Sequence, residues 1–158
     1  MKKKIIITGG LGYIGTELCK LYSGVSWHHK ITVFDKRFIS ERVNQLRNWN
    51  MEFIQGDILD KNLVQKYFED ADIVHHLAGI TNVPRTKTES SETHDKNIRE
   101  VGEKGTQNIL DSIDDKCKII FPSTHVVYEG IDEIKTDIKE NEPTKPILSY
   151  SLSKSINE

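Results

Sequence analysis

Short apolar runs alternate with amphipathic stretches along most of this chain. Five short runs predict strands, at residues 4–7, 31–34, 51–55, 71–79 and 116–121, and the β-branched first run is typical of a buried parallel strand. Apolar residues recur at helical spacing between these runs, at residues 17–22, 41–49, 63–68 and 95–113. This alternation predicts an α/β fold with a doubly wound parallel sheet in the strand order 3-2-1-4-5.

Composition and charge limit the classes to which the protein can belong. The 158 residues suffice for one domain, and we expect one over residues 1–158. A net charge of -2 does not indicate a surface for nucleic acid or an anionic membrane. Glycines interrupt the apolar run after Lys4, which disfavours a secretory signal, and Cys19 and Cys117 lack paired spacing. We therefore expect a cytoplasmic protein without nucleic-acid or membrane partners.

A glycine-rich turn follows the first predicted strand. Residues 8–15 read Thr-Gly-Gly-Leu-Gly-Tyr-Ile-Gly, so that Gly9, Gly12 and Gly15 stand at three-residue intervals. The first glycine permits a tight turn, the second lets the backbone approach a pyrophosphate, and the third lets the next helix pack closely on the sheet. The N-terminus of that helix offers N–H groups to phosphates. The alternative is a glycine-rich turn that binds no ligand.

Asp35 closes the second predicted strand, about twenty residues after the glycines. In dinucleotide-binding folds an acidic residue at that distance accepts hydrogen bonds from the adenosine ribose. Its carboxylate would repel a 2′-phosphate and so favours NAD over NADP, although Lys36 and Arg37 partly offset that repulsion. An aspartate in a turn at a strand end is the alternative interpretation.

Other candidate ligand contacts also fall at the carboxyl ends of predicted strands, the edge where open α/β sheets bind their ligands. They are Asp57 after the third strand, Ala78 and Gly79 after the fourth, and Ser123 and Thr124 after the fifth. This coincidence favours a dinucleotide site over an unrelated glycine turn.

Tyr150 and Lys154 are the candidate catalytic pair, because their spacing places both on one face of a helix. A phenol is a weak base near pH 7, but a nearby ammonium favours the phenolate, and so does an oxidised nicotinamide. Tyr150 can then take a proton from a substrate alcohol while hydride leaves its carbon, and Thr124 is placed to hydrogen-bond the same oxygen. A tyrosine and a lysine at this spacing are often only surface residues, but here they follow a predicted dinucleotide fold.

These motifs together resemble the extended short-chain dehydrogenase/reductases, the NAD-dependent epimerase/dehydratase family. The glycine turn is similar to the family pattern TGxxGxxG, and residues 150–154 are similar to its YxxxK motif. The resemblance covers residues 4–158 and implies a Rossmann fold with NAD as the coenzyme. The coenzyme contacts that it implies are Gly9, Gly12, Tyr13, Ile14, Gly15, Asp35, Asp57, Ile58, Leu77, Ala78, Gly79 and Lys154.

The same resemblance implies roles for individual residues. It makes Tyr150 the base, Thr124 a donor to the substrate oxygen, and Lys154 both an electrostatic partner and a ribose contact. It assigns Asp57 and Ile58 to the adenine ring. It also implies a nucleotide-sugar substrate and a possible homodimer. Family members are considerably longer, so we expect these residues to stop before the remaining strands and the substrate lobe.

Three departures from the family pattern bear on the site. Gly102 stands where the family helix NVxGTxN has its first asparagine, so no residue is assigned to that hydrogen bond on the nicotinamide side. Glu129 replaces the loop glycine that follows the family's Val-Tyr pair. His125 and Val126 replace the Asp-Glu pair of the dehydratases, and valine can act neither as an acid nor as a base. This favours C4 epimerisation or alcohol oxidation over 4,6-dehydration.

Two functions from different classes are consistent with these residues. The first is an NAD-dependent sugar-nucleotide epimerase-like enzyme that oxidises a sugar hydroxyl by hydride transfer to NAD. The second is an NAD-binding module, or one half of a split enzyme, without catalysis of its own. We expect the isolated 158-residue chain to have little or no turnover.

No metal site is predicted. The histidine pairs at residues 28–29 and 75–76 lack cysteine or carboxylate ligands at suitable spacing. Adjacent histidines in a strand also point to opposite faces of the sheet.

Overall fold

The computed structural model describes residues 2–84, 86–132 and 134–158, which form two compact units. The first, which we call the sheet unit, comprises the residues up to Gly79 together with Gly105–Pro122. The second, which we call the helical unit, comprises Ile80–Lys104 together with Ser123–Glu158. The expected single domain over residues 1–158 stays a prediction.

Parallel strands form the centre of the sheet unit. The strands are β1 (Lys4–Thr8), β2 (Lys30–Asp35), β3 (Glu52–Gln55), β4 (Ile73–His76) and β5 (Lys118–Ile120). Their order is β3-β2-β1-β4-β5, which confirms the predicted doubly wound order. Thr8 pairs with Phe34 of β2 and with His76 of β4, so the carboxyl ends of these three strands lie side by side.

Six α-helices lie in the described part of the chain. They are α1 (Tyr13–Ser23), α2 (Ser40–Asn48), α3 (Lys61–Phe68), α4 (Glu92–Arg99), α5 (Gly105–Leu110) and α6 (Ser149–Asn157). Asp60 caps α3, because its carboxylate accepts the N–H of Leu63 at 3.1 Å. Gly24 follows α1 as its C-cap. None of these described helices has the length and apolar composition that crossing a membrane requires.

Apolar side chains cover both faces of the sheet. Ile5 and Ile7 of β1 pack on one face with residues that include Cys19 of α1. Burial raises the pKa of the Cys19 thiol to about 12, which agrees with the predicted role as a reduced core residue. On the other face Phe34 meets Phe68 of α3 edge-on, with ring centroids 5.5 Å apart. The sheet is therefore a layer that is buried on both faces.

The prediction of one helix over residues 95–113 is wrong. The chain instead forms α4, a π-helical turn over Glu100–Lys104, and then α5. A π-helical turn accommodates an extra residue and so changes the face that the next helix presents. This lets α4 belong to the helical unit and α5 to the sheet unit, where a Cβ on Gly105 would lie 2.4 Å from Ile58 Cδ1. Periodicity alone does not reveal such a change of face.

The polar segment at residues 86–93 contains short helical structure. Lys87–Glu89 forms a 3-10 turn, and α4 begins at Glu92. Ser91 caps that helix, because its hydroxyl accepts the N–H of His94 at 3.4 Å.

Candidate functional site

The glycine turn between β1 and α1 closes tightly on the chain that follows β4. Gly9 has a φ of 64°, and a Cβ there would lie 2.8 Å from the backbone nitrogen of Ala78. The N–H of Gly12 donates to the carbonyl of Gly9 at 2.9 Å. Leu77 packs on the core, whereas a Cβ on Gly79 would meet no described atom within 4 Å. The turn thus brings Gly9 and Ala78, two predicted coenzyme contacts, together.

Helix α1 begins directly at this turn. Gly12 is its N-cap, and a Cβ on Gly15 would lie 2.5 Å from the carbonyl oxygen of Gly9, so the helix packs on the turn as predicted. Tyr13 and Ile14 in the first helical turn are 85% and 62% exposed. The N-terminus of α1 is therefore open to solvent, where its first N–H groups can meet an anion.

A buried hydrogen-bond network holds the turn after β4 in place. The Thr8 hydroxyl accepts the N–H of Ala78 at 3.0 Å and is hydrogen-bonded to Nδ1 of His76 at 2.9 Å. Nε2 of His76 is hydrogen-bonded to the Thr106 hydroxyl at 3.0 Å. Sequence reasoning did not assign a role to these three supporting residues. Thr8 heads the glycine motif and Thr106 is the threonine of the helix that resembles NVxGTxN, but their link through His76 joins segments that are distant in the chain.

Asp35 lies at the carboxyl end of β2, beside the glycine turn. One of its oxygens accepts the N–H of Leu11 at 2.9 Å, and the other accepts the backbone N–H of Arg37 at 3.0 Å. The Arg37 guanidinium also donates to both oxygens, from Nε and Nη2 at 3.2 Å each. These bonds raise the pKa of Arg37. Asp35, the predicted ribose contact, is thus held by hydrogen bonds from Leu11 of the glycine turn and from Arg37.

Asp57 and Ile58, the predicted adenine contacts, follow β3. Burial alone would raise the pKa of Asp57, but the Lys36 ammonium at 2.7 Å and the N–H of Leu59 at 3.0 Å hold it below its usual value. The carbonyl of Ile58 accepts a hydrogen bond from Nδ2 of Asn108 at 2.9 Å. This segment is therefore anchored through both an ion pair and the neighbouring helix α5.

Thr124 begins a 3-10 turn over His125–Tyr128 in the helical unit. Its half-buried hydroxyl oxygen accepts the N–H of Val126 at 3.4 Å. A hydroxyl that accepts one hydrogen bond can still donate its own proton to a ligand oxygen. His125 is exposed on the same turn.

Tyr150 and Lys154 lie on one face of α6, with Nζ of Lys154 5.9 Å from the centroid of the Tyr150 ring. Burial raises the pKa of Tyr150 and lowers the pKa of Lys154, because both charged forms lose hydration. Activation of the Tyr150 phenol by the Lys154 ammonium together with an oxidised nicotinamide stays a prediction. Burial by itself favours the neutral phenol.

Glu129, the residue that replaces the family's loop glycine, caps the helix that carries this pair. One carboxylate oxygen accepts the N–H of Ile147 at 2.8 Å and that of Leu148 at 2.7 Å, and it also accepts the hydroxyl of Ser151. Burial would raise the pKa of Glu129, but these bonds hold it below its usual value. A carboxylate at this position satisfies N–H groups that precede the helix and favours the helix dipole.

Gly102, the second departure, lies in the π-helical turn and contacts α6. A Cβ on Gly102 would lie 2.9 Å from the Ser153 hydroxyl and 3.1 Å from its Cβ. The Gly102 carbonyl accepts a hydrogen bond from Nδ2 of Asn157 at 2.9 Å. The asparagine that the family has here would therefore collide with α6, whereas glycine permits the close approach.

Within the described ranges, no group of three or more histidine, cysteine or acidic side chains is arranged to hold a metal ion. The two histidines of β4 point to different sides of the sheet, as strand alternation predicts. Nε2 of His75 is hydrogen-bonded to the Tyr22 hydroxyl of α1 at 2.8 Å, whereas His76 meets Thr106 of α5.

Comparison with known families decides the class of this protein. The sequence model of the NAD dependent epimerase/dehydratase family matches residues 5–158. The chain belongs to that family. The predicted resemblance is thus confirmed, and NAD is confirmed as the coenzyme of the family.

Three relatives of this epimerase/dehydratase family member have names that state three different reactions. A UDP-N-acetyl-alpha-D-glucosaminuronate decarboxylase of Bacillus cytotoxicus is 32% identical over 100% of this chain and 49% of its own length. A dTDP-D-glucose 4,6-dehydratase of Dictyostelium discoideum is 33% identical over 96% of this chain and 38% of its own. A putative UDP-glucose 4-epimerase of Methanocaldococcus jannaschii is 33% identical over 98% of this chain and 48% of its own length. The chain therefore spans at most about half of these relatives' length, and identity does not separate the three reactions.

Solved structures of epimerases share the fold of this family member. The UDP-Glc/GlcNAc 4-epimerase of Campylobacter jejuni has a TM-score of 0.80 and 25% identity over 98% of this chain and 46% of that protein. The UDP-glucose 4-epimerase of Brucella ovis has a TM-score of 0.75 and 27% identity over 98% of this chain and 45% of that protein. It was solved in complex with NAD. The predicted Rossmann fold is thereby confirmed.

Proposed function

We propose that this chain forms the coenzyme-binding part of a nucleotide-sugar epimerase-like oxidoreductase, which oxidises a sugar hydroxyl by hydride transfer to NAD. The observation that carries the proposal is the hydrogen bond from the Leu11 N–H to the buried carboxylate of Asp35, at 2.9 Å. This bond joins a phosphate-binding turn and an acidic strand end in one site on the sheet unit. Family membership supports an NAD-dependent reaction.

The residues of the sheet unit fit this coenzyme. Side chains on Gly9 and Gly15 would collide with backbone atoms, so the turn is built for close approach of its main chain to a ligand. The open N-terminus of α1 suits a pyrophosphate. Asp35 suits the ribose hydroxyls, and we assign the adenine to Asp57 and Ile58.

The helical unit supplies the groups that handle the substrate proton. Tyr150 acts as the base, Thr124 donates a hydrogen bond to the reacting oxygen, and Lys154 binds ribose and favours the phenolate. Bound NAD supplies the hydride acceptor and a positive charge near the phenol. Burial raises the pKa of Tyr150, so we assign both positive charges, the Lys154 ammonium and the oxidised nicotinamide, to favouring the phenolate during proton transfer.

The residues after Thr124 favour epimerisation or alcohol oxidation over dehydration. Elimination of water requires a base for the α-proton and an acid for the leaving hydroxyl. His125 is exposed on the 3-10 turn, and Val126 next to it carries no titratable group. Epimerisation at C4 requires proton removal from the hydroxyl, reversible hydride transfer to bound NAD and rotation of the keto sugar, so that Tyr150, Lys154 and Thr124 need no further acid or base. We assign the reaction to the cytoplasm, and the predicted homodimer stays a prediction.

The second candidate is an NAD-binding module, or half of a split enzyme, without independent catalysis. It rests on the predicted turn and strand-end contacts to the coenzyme, Gly9 and Asp35 among them, which lie together in the sheet unit. The chain spans 38–49% of the length of the three relatives named above. The sheet unit and the helical unit hold the predicted coenzyme and catalytic residues, while the nucleotide-sugar contacts are not assigned. Both candidate functions therefore include NAD binding, and they differ in whether the protein catalyses a reaction by itself.

Two measurements test the proposal. Calorimetric titration of NAD into the 158-residue chain tests coenzyme binding, with Asp35→Ala as the variant expected to weaken it. Incubation of the whole protein with NAD and a panel of nucleotide hexoses, followed by NMR, tests the reaction. Inversion at C4 supports the epimerase. A 4-keto-6-deoxy product contradicts the inference from His125 and Val126, and NAD binding without turnover supports the binding module.

A further inference from the structure

The backbone of Leu11 is held from two sides. Its N–H donates to the buried carboxylate of Asp35 at 2.9 Å, and its carbonyl accepts a hydrogen bond from Nη1 of Arg42. Its side chain is 1% exposed and belongs to the same core cluster as Val43 and Leu46 of α2. Leu11 is therefore the fixed residue of a turn in which both of its neighbours are glycines.

Planar peptide groups carry this restraint to the atoms that a ligand would meet. The carbonyl of Leu11 and the N–H of Gly12 belong to one peptide plane, so the bond from Arg42 also fixes the direction of that N–H. The Gly12 N–H donates to the carbonyl of Gly9 at 2.9 Å, which closes the turn. Gly12 is also the N-cap of α1, so a shift of this plane would move the first free N–H groups of the helix.

The glycines of the turn make an external restraint necessary. Glycine has the largest backbone freedom of all residues and therefore loses the most conformational entropy when it is ordered. Gly9, with its φ of 64°, lies in a region that other residues rarely adopt. A main chain that receives a pyrophosphate binds more tightly when it is ordered before the ligand arrives. Side chains on rigid elements can supply that order.

Arg42 is suited to this role by its place on α2. The helix is anchored in the core through Val43 and Leu46, which are 1% and 2% exposed. Arg42 precedes Val43 directly and is half-buried, so its guanidinium extends from a fixed point. A hydrogen bond from an ionised donor is also stronger than one between neutral groups. The partner of Arg42 is a main-chain carbonyl, whereas the guanidinium of Arg37 is bonded to a carboxylate.

We infer that Arg42 is a positioning residue for the coenzyme site, which holds the Leu11–Gly12 peptide in the orientation that a pyrophosphate requires. It acts through the glycine turn and needs no contact with the coenzyme. Its effect should therefore be the same for NAD and NADP, and it should be confined to ligands that carry a pyrophosphate. This inference rests on the proposed coenzyme site.

The test measures dissociation constants by calorimetry for NAD, NADP and ADP-ribose, which carry a pyrophosphate, and by NMR titration for adenosine, which does not. Arg42→Ala should weaken the first three ligands by the same factor, about tenfold or more, because it removes a hydrogen bond from a charged donor. Adenosine binding should stay unchanged. Arg42→Lys keeps a cationic donor at the same place on α2 and should recover part of the lost affinity.

Arg47→Ala is the matched control, because it removes the same charge from an exposed position of α2, where Arg47 is hydrogen-bonded to Asn44. It should bind all four ligands like the wild type. Circular dichroism checks that each variant is folded, and Arg42→Lys, compared with the wild type, supplies the measurement where Arg42→Ala is unfolded.

The outcomes separate this inference from the proposed function. Unchanged NAD binding in Arg42→Ala would overturn the positioning role and leave the coenzyme site standing. Equal weakening of NAD and adenosine would also overturn it, because a general loss of structure would then explain both. Failure of the wild-type chain to bind NAD would overturn the proposed coenzyme site as well.

Discussion

Glu129 accepts the backbone N–H of Leu148 at 2.7 Å, immediately before the helix that carries Tyr150 and Lys154. The same oxygen accepts the N–H of Ile147 and the hydroxyl of Ser151. A residue that departs from the family pattern has thus become the cap of the predicted catalytic helix. Since a side chain on a helix moves with its axis, this cap helps to set the direction of the Tyr150 hydroxyl.

Glu129→Gln tests this cap. The amide loses the negative charge at the helix N-terminus, and because Glu129 is exposed we expect a cost of only about 0.5–1 kcal/mol. Amide protons of α6 should therefore exchange roughly two- to fivefold faster, as measured by NMR. Glu140→Gln, another exposed acid of the helical unit, is the control and should leave α6 unchanged. Equal protection of α6 in both variants would contradict the cap.

The pH dependence of the same protection gives an independent check. Because the hydrogen bonds hold the pKa of Glu129 below its ordinary 4.5, its contribution is complete above pH 4.5. It is lost as the pH falls through the lower value of the folded state. The protection factors of α6 should therefore fall below pH 4.5 in the wild type and less so in Glu129→Gln.

Gly102→Ala tests the close approach of the π-helical turn to α6. The new Cβ would lie 2.9 Å from the Ser153 hydroxyl, and overpacking of this kind costs about 1–3 kcal/mol, which exceeds the gain of about 1 kcal/mol in helix propensity. We expect a lower melting temperature by circular dichroism and partial recovery in Gly102→Ala with Ser153→Ala. Gly24→Ala is the control, because no described atom lies within 4 Å of its Cβ position. A melting temperature unchanged by Gly102→Ala would show that the contact is not tight.

Local patterns account for most of the fold that the sequence predicted. The β-branched runs and the helical spacing around Leu63 are properties of consecutive residues, so strands, caps and strand order follow from them. The π-helical turn over Glu100–Lys104 did not follow, because no local pattern marks it, and Gly102 within it contacts Ser153 of α6. A contact between two residues so far apart in the chain cannot be predicted from the periodic pattern of one segment.

In the candidate site, too, the sequence predicted the residues of local motifs but not the contacts between distant segments. Asp35 and the glycines were identified because their spacing has a direct chemical meaning. The four hydrogen bonds around Asp35 were not, since adjacency of Arg37 in the sequence does not show that its guanidinium folds back. Thr8 and His76 were also missed, because their role depends on pairing between β1 and β4. Contacts across strands require the fold before they can be inferred.

His75 makes the stability of the sheet unit depend on pH. Burial lowers the pKa of His75 below its ordinary 6.5. The unfolded chain therefore binds a proton as the pH falls below 6.5 while the folded chain does not, so the free energy of unfolding should decrease with acidification in that range. Urea unfolding followed by tryptophan fluorescence measures this, because Trp27 and Trp49 both lie in the sheet unit.

His75→Gln removes the titration and keeps a polar partner for the Tyr22 hydroxyl. We expect its free energy of unfolding to be less dependent on pH between about 7.5 and 5.5 than that of the wild type. His28→Gln, an exposed histidine of the same unit, should keep the wild-type slope. The same slope in all three proteins would assign the pH dependence to another group.

Tyr150→Phe tests the proposed base in the whole protein. Only the phenolic oxygen is removed from a half-buried ring, so α6 should keep its packing while kcat falls by about 10²–10⁴-fold. The NAD dissociation constant should stay nearly unchanged, because the ribose contact is assigned to Lys154. Tyr128→Phe, which removes a hydroxyl from the 3-10 turn of the same unit, is the control and should retain turnover.

Since burial keeps the Tyr150 phenol protonated, the rate of the wild type should rise with pH, and Tyr150→Phe should lose that limb of the profile. Full turnover in Tyr150→Phe would assign the proton transfer to another residue, even if NAD binding and the fold are both as described.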